Sequence, residues 1–265
     1  MPELPEVEYA RRQLSRWLVG ATIVRARILD PRILDEVSGP QFSRALGGRR
    51  VQSVERRGKW LRIVLDEGLV FSHLGMTGKW VRSNEAQRFE RLTLEVLRRK
   101  LTSHVRYLDP RLFGRVLVAK TNIPAWIALG PDPLHDGLDV AALFAKLARR
   151  SGPIKPTLLD QSLIAGIGNI QAVEALWNAK LDPRRRSSSL DRREVSALVR
   201  GIMKSLARTL ALQSGPKISY VEEAGAANPF LVYERGGEPC PRCKHRLEKI
   251  TMAGRGTVFC PRCQR

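Results

Sequence analysis

The sequence predicts an α+β protein: an N-terminal antiparallel β-sandwich headed by a helix, then a helical domain, then a C-terminal metal-binding hairpin. Three observations predict it. Short segments of alternating apolar residues crowd the chain between residues 22 and 119. Helical periodicity takes over beyond residue 138. All four cysteines fall within the last 26 of 265 residues.

Each element has a local reason. Residues 3–18 read as a helix, because Leu4, Val7, Leu14, Trp17 and Leu18 share one face. Strands are expected at 23–28, 51–54, 60–65, 69–74, 92–97, 105–108 and 115–119, separated by Gly, Pro and charged turns. So many short strands suggest an antiparallel sandwich over residues 2–130. The Pro- and Gly-rich stretch 131–137 reads as a linker. Helices are expected at 140–149, 156–161, 169–179 and 191–212, within a helical domain spanning 138–230. Asp191-Arg-Arg-Glu194 has the form of a capping box. Residues 213–229 read as loop, and 231–265 as a separate cysteine module.

Charge and composition narrow the function. Lys and Arg number 46 against 26 Asp and Glu, a net charge of +20. An excess of that size calls for a polyanionic partner, with nucleic acid as the default. Arginine supplies 35 of the cations, which suits bidentate phosphate contacts. The N-terminus is charged from its third residue, so it does not read as a signal peptide, and no apolar run is long enough to span a membrane. The expectation is a cytoplasmic protein, acting as a monomer and making no membrane contact.

Cys240-Pro-Arg-Cys243 and Cys260-Pro-Arg-Cys263 are two CxxC pairs with 16 residues between them. Each pair presents two sulfurs on one side of a turn, and Zn²⁺ takes four thiolates in a tetrahedron. One structural zinc is expected, with Cys240, Cys243, Cys260 and Cys263 as ligands. Residues 240–265 also hold seven cations and one Glu. Its hairpin is therefore expected to touch phosphate, although a solvated basic surface would read the same.

Pro2-Glu-Leu-Pro-Glu-Val-Glu8 has an ordinary reading and a sharper one. Pro5 can start a helix, and Glu3, Glu6 and Glu8 favour its positive end. Alternatively, removal of Met1 exposes Pro2 as a secondary amine, which titrates near about 7.7–8.0 and is partly neutral at physiological pH. Such an amine can attack an electrophilic carbon and form an iminium, with Glu3 beside it to shuttle the proton.

These residues, with further motifs in the same order along nearly the whole chain, resemble the formamidopyrimidine-DNA glycosylase family. Pro2–Glu8 resembles its N-terminus. Arg56-Arg-Gly-Lys-Trp-Leu61 resembles its catalytic-lysine strand, and His73-Leu-Gly-Met-Thr-Gly78 its intercalation loop. Asp109-Pro-Arg-Leu-Phe-Gly114 resembles its second wedge. Ile154-Lys-Pro-Thr-Leu-Leu-Asp160 with Gly166-Ile-Gly-Asn169 resembles its helix–two-turns–helix element, and Val232–Cys240 the approach to its zinc finger.

The resemblance implies a bifunctional glycosylase and abasic-site lyase of base excision repair, acting on damaged double-stranded DNA. Pro2 matches the nucleophile that attacks C1′, Glu3 the neighbouring acid, and Lys59 the lysine of strand cleavage. Arg255, mid-hairpin, matches the zinc-finger arginine that grips phosphates and takes part in δ-elimination. Met76, Arg111 and Phe113 match the residues that fill the void left by the flipped nucleotide. Physically, apolar wedges suit an unstacked step, and Arg suits the orphaned base. Core packing is the ordinary reading of Met76 and Phe113, and a polar strand position that of Lys59. Asn169 and the glycines before it could present N–H donors to phosphate at a helix start. Lys155, Tyr233 and His73 occupy further DNA-facing positions, with a buried histidine the alternative for His73.

The chain also departs from the family pattern. Gln171 and Val173 stand where Tyr and Ser are usual, and Phe89-Glu-Arg91 replaces a His-x-His. The segment 216–229 is short and carries Glu222 and Glu223, where the family has a longer loop over flipped 8-oxoguanine. Weak excision of 8-oxoguanine relative to formamidopyrimidines or hydantoins is expected. An endonuclease VIII-like glycosylase for oxidised pyrimidines, or a zinc-ribbon DNA-binding protein without chemistry, are the alternatives.

Overall fold

Between Thr22 and Ala119 the chain lays down eight strands that pair as two antiparallel sheets. The computed structural model describes residues 2–213 and 227–265. The elements in order are helix α1 (Leu4–Leu18), β1 (Thr22–Ile28), α2 (Gly39–Leu46), β2 (Val51–Arg57), β3 (Trp60–Leu65) and β4 (Leu69–His73). Then come β5 (Lys79–Arg82), β6 (Glu90–Arg98), β7 (Leu101–Leu108) and β8 (Arg115–Ala119). Helices α3 (Pro124–Ile127), α4 (Val140–Ala148), α5 (Ile154–Thr157), α6 (Asn169–Ala179) and α7 (Arg192–Leu212) follow. Strands β9 (Glu248–Met252) and β10 (Arg255–Phe259) close the chain. No helix among the described residues is long and apolar enough to cross a membrane.

The chain divides into two compact units. One holds Pro2 and Glu6–Ile127; the other holds Glu3–Pro5, Ala128–Leu212 and Ala227–Arg265. In the first unit the sheets run β1-β6-β7-β5 and β2-β3-β4-β8. Alternation explains the layering: Leu61, Ile63 and Leu65 of β3, and Leu92, Leu94 and Val96 of β6, are buried, while their neighbours other than the buried Thr93 face outward or lie half-covered. Helix α1 buries Val7, Ala10, Leu14 and Leu18, the apolar stripe that its spacing predicts. Three elements of this unit go unread in the sequence, the four-residue helix α3 among them. Helix α2 starts at a capping box formed by Ser38 and Gln41, and β5 is only four residues long.

In the second unit, a core of Leu143, Ile154, Leu163, Ile164, Leu176, Leu198 and Ile202 gathers α4–α7. Leu4, from the chain's N-terminal end, belongs to the same core. Helix α7 opens with the expected capping box: Glu194 N–H donates to Asp191 Oδ1 (2.8 Å), and Asp191 N–H donates to Glu194 Oε2 (2.9 Å). Residues 131–137 are pinned rather than slack. The buried Asp132 carboxylate accepts from Leu134 N–H and His135 N–H, and Ala165 N–H donates to the Pro131 carbonyl.

The helix expected at 156–161 is a correction. The helix starts at Ile154 and ends at Thr157. Pro156 lies in its first turn, where a missing N–H costs nothing. The chain then turns, because Asp160 Oδ1 captures both the N–H and the hydroxyl of Ser162, while Gln161 bridges the Ile167 carbonyl and Gly166 N–H.

Candidate DNA-lesion site

A buried polar constellation of the second unit is built on Glu3. Its carboxylate is buried and accepts from three backbone N–H groups, Gly168 (3.1 Å), Ile170 (2.8 Å) and Gln171 (3.0 Å). Helix α6 has no side-chain cap of its own, so Glu3 supplies the anion that its positive end attracts. This corrects the expectation that these N–H groups are open to phosphate. It also explains the glycines. A Cβ on Gly168 would lie 2.3 Å from the Glu3 carboxyl, and one on Gly166 (φ +90°) 2.6 Å from Leu4. The GxGN turn is glycine-rich because residues 3 and 4 pack against it.

Asn169 opens α6 and donates one amide hydrogen to the Gly256 carbonyl (3.1 Å), tying the helix start to the C-terminal hairpin. Its Oδ1 is buried without a hydrogen-bond partner. Lys155 is fully buried, and its Nζ also has no hydrogen-bond partner. Burial and the charge of Arg255 pull the Lys155 pKa down to about 8, against the opposing pull of Glu3. Arg255 begins β10, exposed after a tight turn in which Ala253 and Gly254 both have positive φ (48° and 70°). One turn further along α6, buried Glu174 accepts from Leu231, Val232 and Tyr233 N–H groups. That fixes the Tyr233 backbone. Burial lifts the Tyr233 phenol to about 12, so it stays a proton donor. Gln171, at a position where Tyr is usual in the resembling family, instead bonds Thr209 and Ser205 of α7.

In the first unit Lys59 lies in the two-residue turn between β2 and β3, not on a strand as its neighbours suggested. Gly58, with φ +56°, makes that turn possible. Arg56 braces it: Nη1 donates to the Gly58 carbonyl (3.0 Å), and Nε to Glu8 of α1 (3.1 Å). Burial raises the Glu8 pKa, but hydrogen bonds from Arg11 and Arg12 and the charge of Arg56 bring it down to about 2. His73 ends β4, half-buried against Trp60, and its Nδ1 accepts from Gly75 N–H (3.1 Å). Burial, then the charges of Lys59 and Arg115, lower its pKa to about 4. It is neutral at pH 7, with its Nε2–H left to donate.

Met76 lies in the loop after β4, and Arg111 and Phe113 in the loop before β8. The two loops meet closely: a Cβ on Gly75 (φ +61°) would lie 2.4 Å from the Phe113 carbonyl. Buried Asp109 organises both, accepting from the Thr77 hydroxyl (2.7 Å), Arg111 N–H (3.2 Å) and Gly114 N–H (2.7 Å). Phe113 is 52% exposed, with the Arg111 guanidinium 4.9 Å from its ring centre, so core packing does not account for it.

The four cysteine sulfurs lie within 4.8 Å of one another, with Cys243 and Cys260 Sγ 3.5 Å apart. Tetrahedral Zn–S bonds of about 2.3 Å place sulfurs roughly 3.8 Å apart, so the donor set and spacing fit zinc. Trp177 Nε1–H and Cys263 N–H point at Cys240 and Cys260 sulfurs, both at 3.4 Å, which stabilises thiolate. Gln264 anchors the knuckle, accepting from Cys260 N–H and donating to the Leu181 carbonyl.

A β-sandwich preceded by the Pro2-Glu3 pair, followed by a helical unit closed by a four-cysteine hairpin, defines a zinc-finger protein of the helix–two-turns–helix glycosylase class. Sequence models of protein families agree. The formamidopyrimidine-DNA glycosylase N-terminal domain matches residues 1–116, its H2TH domain 129–219, and the zinc finger found in FPG and IleRS 237–265. The formamidopyrimidine-DNA glycosylase of Desulfitobacterium hafniense is 41% identical over 274 residues, covering 100% of both chains. That of Geobacillus kaustophilus is 38% identical, with the same coverage. Among solved structures, Lactococcus lactis Fpg with DNA containing an abasic site matches at TM-score 0.88 and 32% identity, covering 99% of each chain. MutM with DNA containing carbocyclic 8-oxo-G matches at 0.88 and 33%, covering 100% of each. The chain belongs to the formamidopyrimidine-DNA glycosylase family, and the cysteine cluster is its structural zinc site.

The structure thus gathers Glu3, Lys155, Asn169, Tyr233 and Arg255 in one unit, and Lys59, His73, Met76, Arg111 and Phe113 in the other. Arg56 and Asp109 stand within motifs that the sequence shows but receive no role there, and Glu174 goes unread; their bonds run largely to backbone groups, which a sequence does not display. Most of the 216–229 segment, on which the expected lesion preference rests, lies outside the described residues.

Proposed function

We propose that this protein is a bifunctional DNA glycosylase and abasic-site lyase for oxidised bases in duplex DNA, acting as a monomer. The observation that carries the reading is the burial of Glu3, next to Pro2 in the chain, with its carboxylate held by three N–H groups of α6. A carboxylate fixed so firmly beside an N-terminal imine-forming residue is a positioned proton carrier.

The Pro2 nitrogen attacks C1′ of the damaged nucleotide, the N-glycosidic bond breaks, and the base departs with a proton. Ring opening leaves an iminium between Pro2 and C1′. The cation acidifies the C2′ proton; its removal breaks the 3′ C–O bond and expels the 3′-phosphate. A second elimination expels the 5′-phosphate, and water releases the sugar fragment and restores the amine. Glu3 moves the proton at the amine and sugar. Lys59, on its braced turn, serves the C2′ proton. Arg255 and neutral His73 hold phosphates. Met76, Arg111 and Phe113 fill the place of the extruded nucleotide, with Arg111 facing the orphaned base. Zinc holds the hairpin that bears Arg255 and takes no chemical step.

Borohydride reduction of the iminium on abasic-site DNA tests this. Wild-type protein traps covalently. Pro2→Gly loses most of the adduct, and an uncleaved N-terminal tag abolishes it. Full trapping by tagged protein refutes the mechanism.

A further inference from the structure

We infer that Phe89 is a further DNA-contacting residue, its ring packing on a nucleobase unstacked beside the Phe113 loop. The inference rests on the DNA-lesion reading above and adds a contact to it.

Phe89 is 39% exposed and adopts a left-handed backbone, φ 63°. That conformation is disfavoured for any residue with a Cβ, and an aromatic ring has no hydrogen bond to offset it. The two residues that follow enforce it. Glu90 is buried in a pair with Arg106 (2.6 Å) and also bonds Thr93. Arg91 donates to the Asp109 carbonyl (2.9 Å) and pairs with Asp30 (3.2 Å). The pairing of β6 with β7 slips between Glu90 and Leu92, a bulge of the kind that redirects side chains near functional sites. The outcome is a large apolar ring left 39% exposed on a strained backbone instead of fully buried. Strain that the surroundings enforce in this way collects at functional positions.

Its connection to the wedge loop says what it meets. Asp109 N–H donates to the Phe89 carbonyl (3.0 Å), while the Asp109 carboxylate holds Arg111 and Gly114 N–H groups. Phe89 and Phe113 therefore hang from one buried residue. Each is an exposed Phe with an arginine stacked on it, Arg88 at 4.5 Å and Arg111 at 4.9 Å. A guanidinium beside an exposed ring suits a phosphate next to an unstacked base.

Phe89→Asn tests the idea, because Asn tolerates the left-handed backbone and lacks the ring. Affinity for a duplex carrying a stable abasic-site analogue is read by fluorescence anisotropy, and folding by calorimetry. Phe89→Asn is expected to keep or raise the melting temperature while weakening the complex about tenfold; Phe89→Trp keeps both. A melting temperature that falls with affinity makes Phe89 structural and overturns the inference. So does affinity that stays within about twofold of wild type while Phe113→Ala weakens binding, which leaves the lesion reading intact. Wild-type protein with no preference for the abasic analogue over undamaged duplex overturns the lesion reading itself.

Discussion

The two units treat their functional residues in opposite ways. In the helical unit, the functional side chains other than Arg255 are enclosed: Glu3 and Glu174 each gather three backbone N–H groups, and the Lys155 amine is buried without a hydrogen bond. In the sandwich unit, Phe113 and Phe89 stand in solvent, and only their backbones are fixed, through Asp109. Proton transfer demands geometry set in advance, because small displacements cost much of the rate. Distorting a duplex demands exposed apolar surface on a firm base. In the proposed function, enclosure goes with proton transfer at Glu3, and exposure on a rigid loop goes with deformation of the duplex.

The largest expected effect breaks the enclosed side. Glu3→Gln keeps the volume but replaces one carboxylate oxygen, and with it an acceptor, by an NH₂ facing backbone donors. Base excision should fall by about 10²–10⁴-fold. Single-turnover kinetics on one defined lesion, with calorimetry alongside, checks that the loss exceeds any change in folding. A rate within about tenfold of wild type would reduce Glu3 to a helix cap.

Zinc removal comes next. Cys243→Ser should drop metal content from one zinc per chain and unfold the hairpin, since small metal modules rarely fold without their ion. The Asn169–Gly256 bond is lost with it, so DNA binding weakens while the sandwich still melts cooperatively. Metal analysis and two-probe melting read both parts. A zinc-free protein with unchanged affinity contradicts the expectation.

On the exposed side, Asp109→Ala strips three hydrogen-bond donors of their acceptor and should cost about 2–3 kcal/mol of stability. It should also weaken lesion-DNA binding, although Asp109 is buried. Denaturant melts and anisotropy together separate this from Phe113→Ala, which should weaken binding and leave stability almost unchanged.

Lys155 gives a smaller effect with a defined sign. Its folded pKa, about 8, lies below the ordinary lysine value of 10.5. Between those values the unfolded chain holds a proton that the folded chain has released, so this group makes stability rise with pH there. Lys155→Met should remove that rise and raise the melting temperature at pH 7, at the expense of excision. Melting at a series of pH values reads it.

His73 gives the smallest. Its folded pKa near 4 lies below the ordinary 6.5, so its contribution to stability is present above 6.5 and lost as pH falls toward 4. Its ring should stay neutral at pH 5.5 in an NMR titration. A midpoint near 6.5 would show the ring open to water.

Much of this was legible in the sequence. The alternation of 60–65 and 115–119 gave both strands to the residue, and the two CxxC pairs specified the metal site, because each pattern is local. Other features needed distant partners. Lys59 became a turn residue because β2 and β3 pair from Arg57 to Trp60. The helix at 154–157 ends where Asp160 turns the chain.

What the sequence by itself determined was the set of chemical groups: a proline beside an acid at residues 2 and 3, four thiols in two CxxC pairs, Met76 and Phe113 with Arg111, and a large cationic excess. Only the tertiary structure decided what those groups do to one another. It gave the α6 amides to Glu3 and left the Lys155 amine without a hydrogen bond. It bent Phe89 outward from a bulge. Chemical identity travels with each residue, whereas hydrogen-bond ownership, burial and backbone strain depend on segments far apart in the chain coming together.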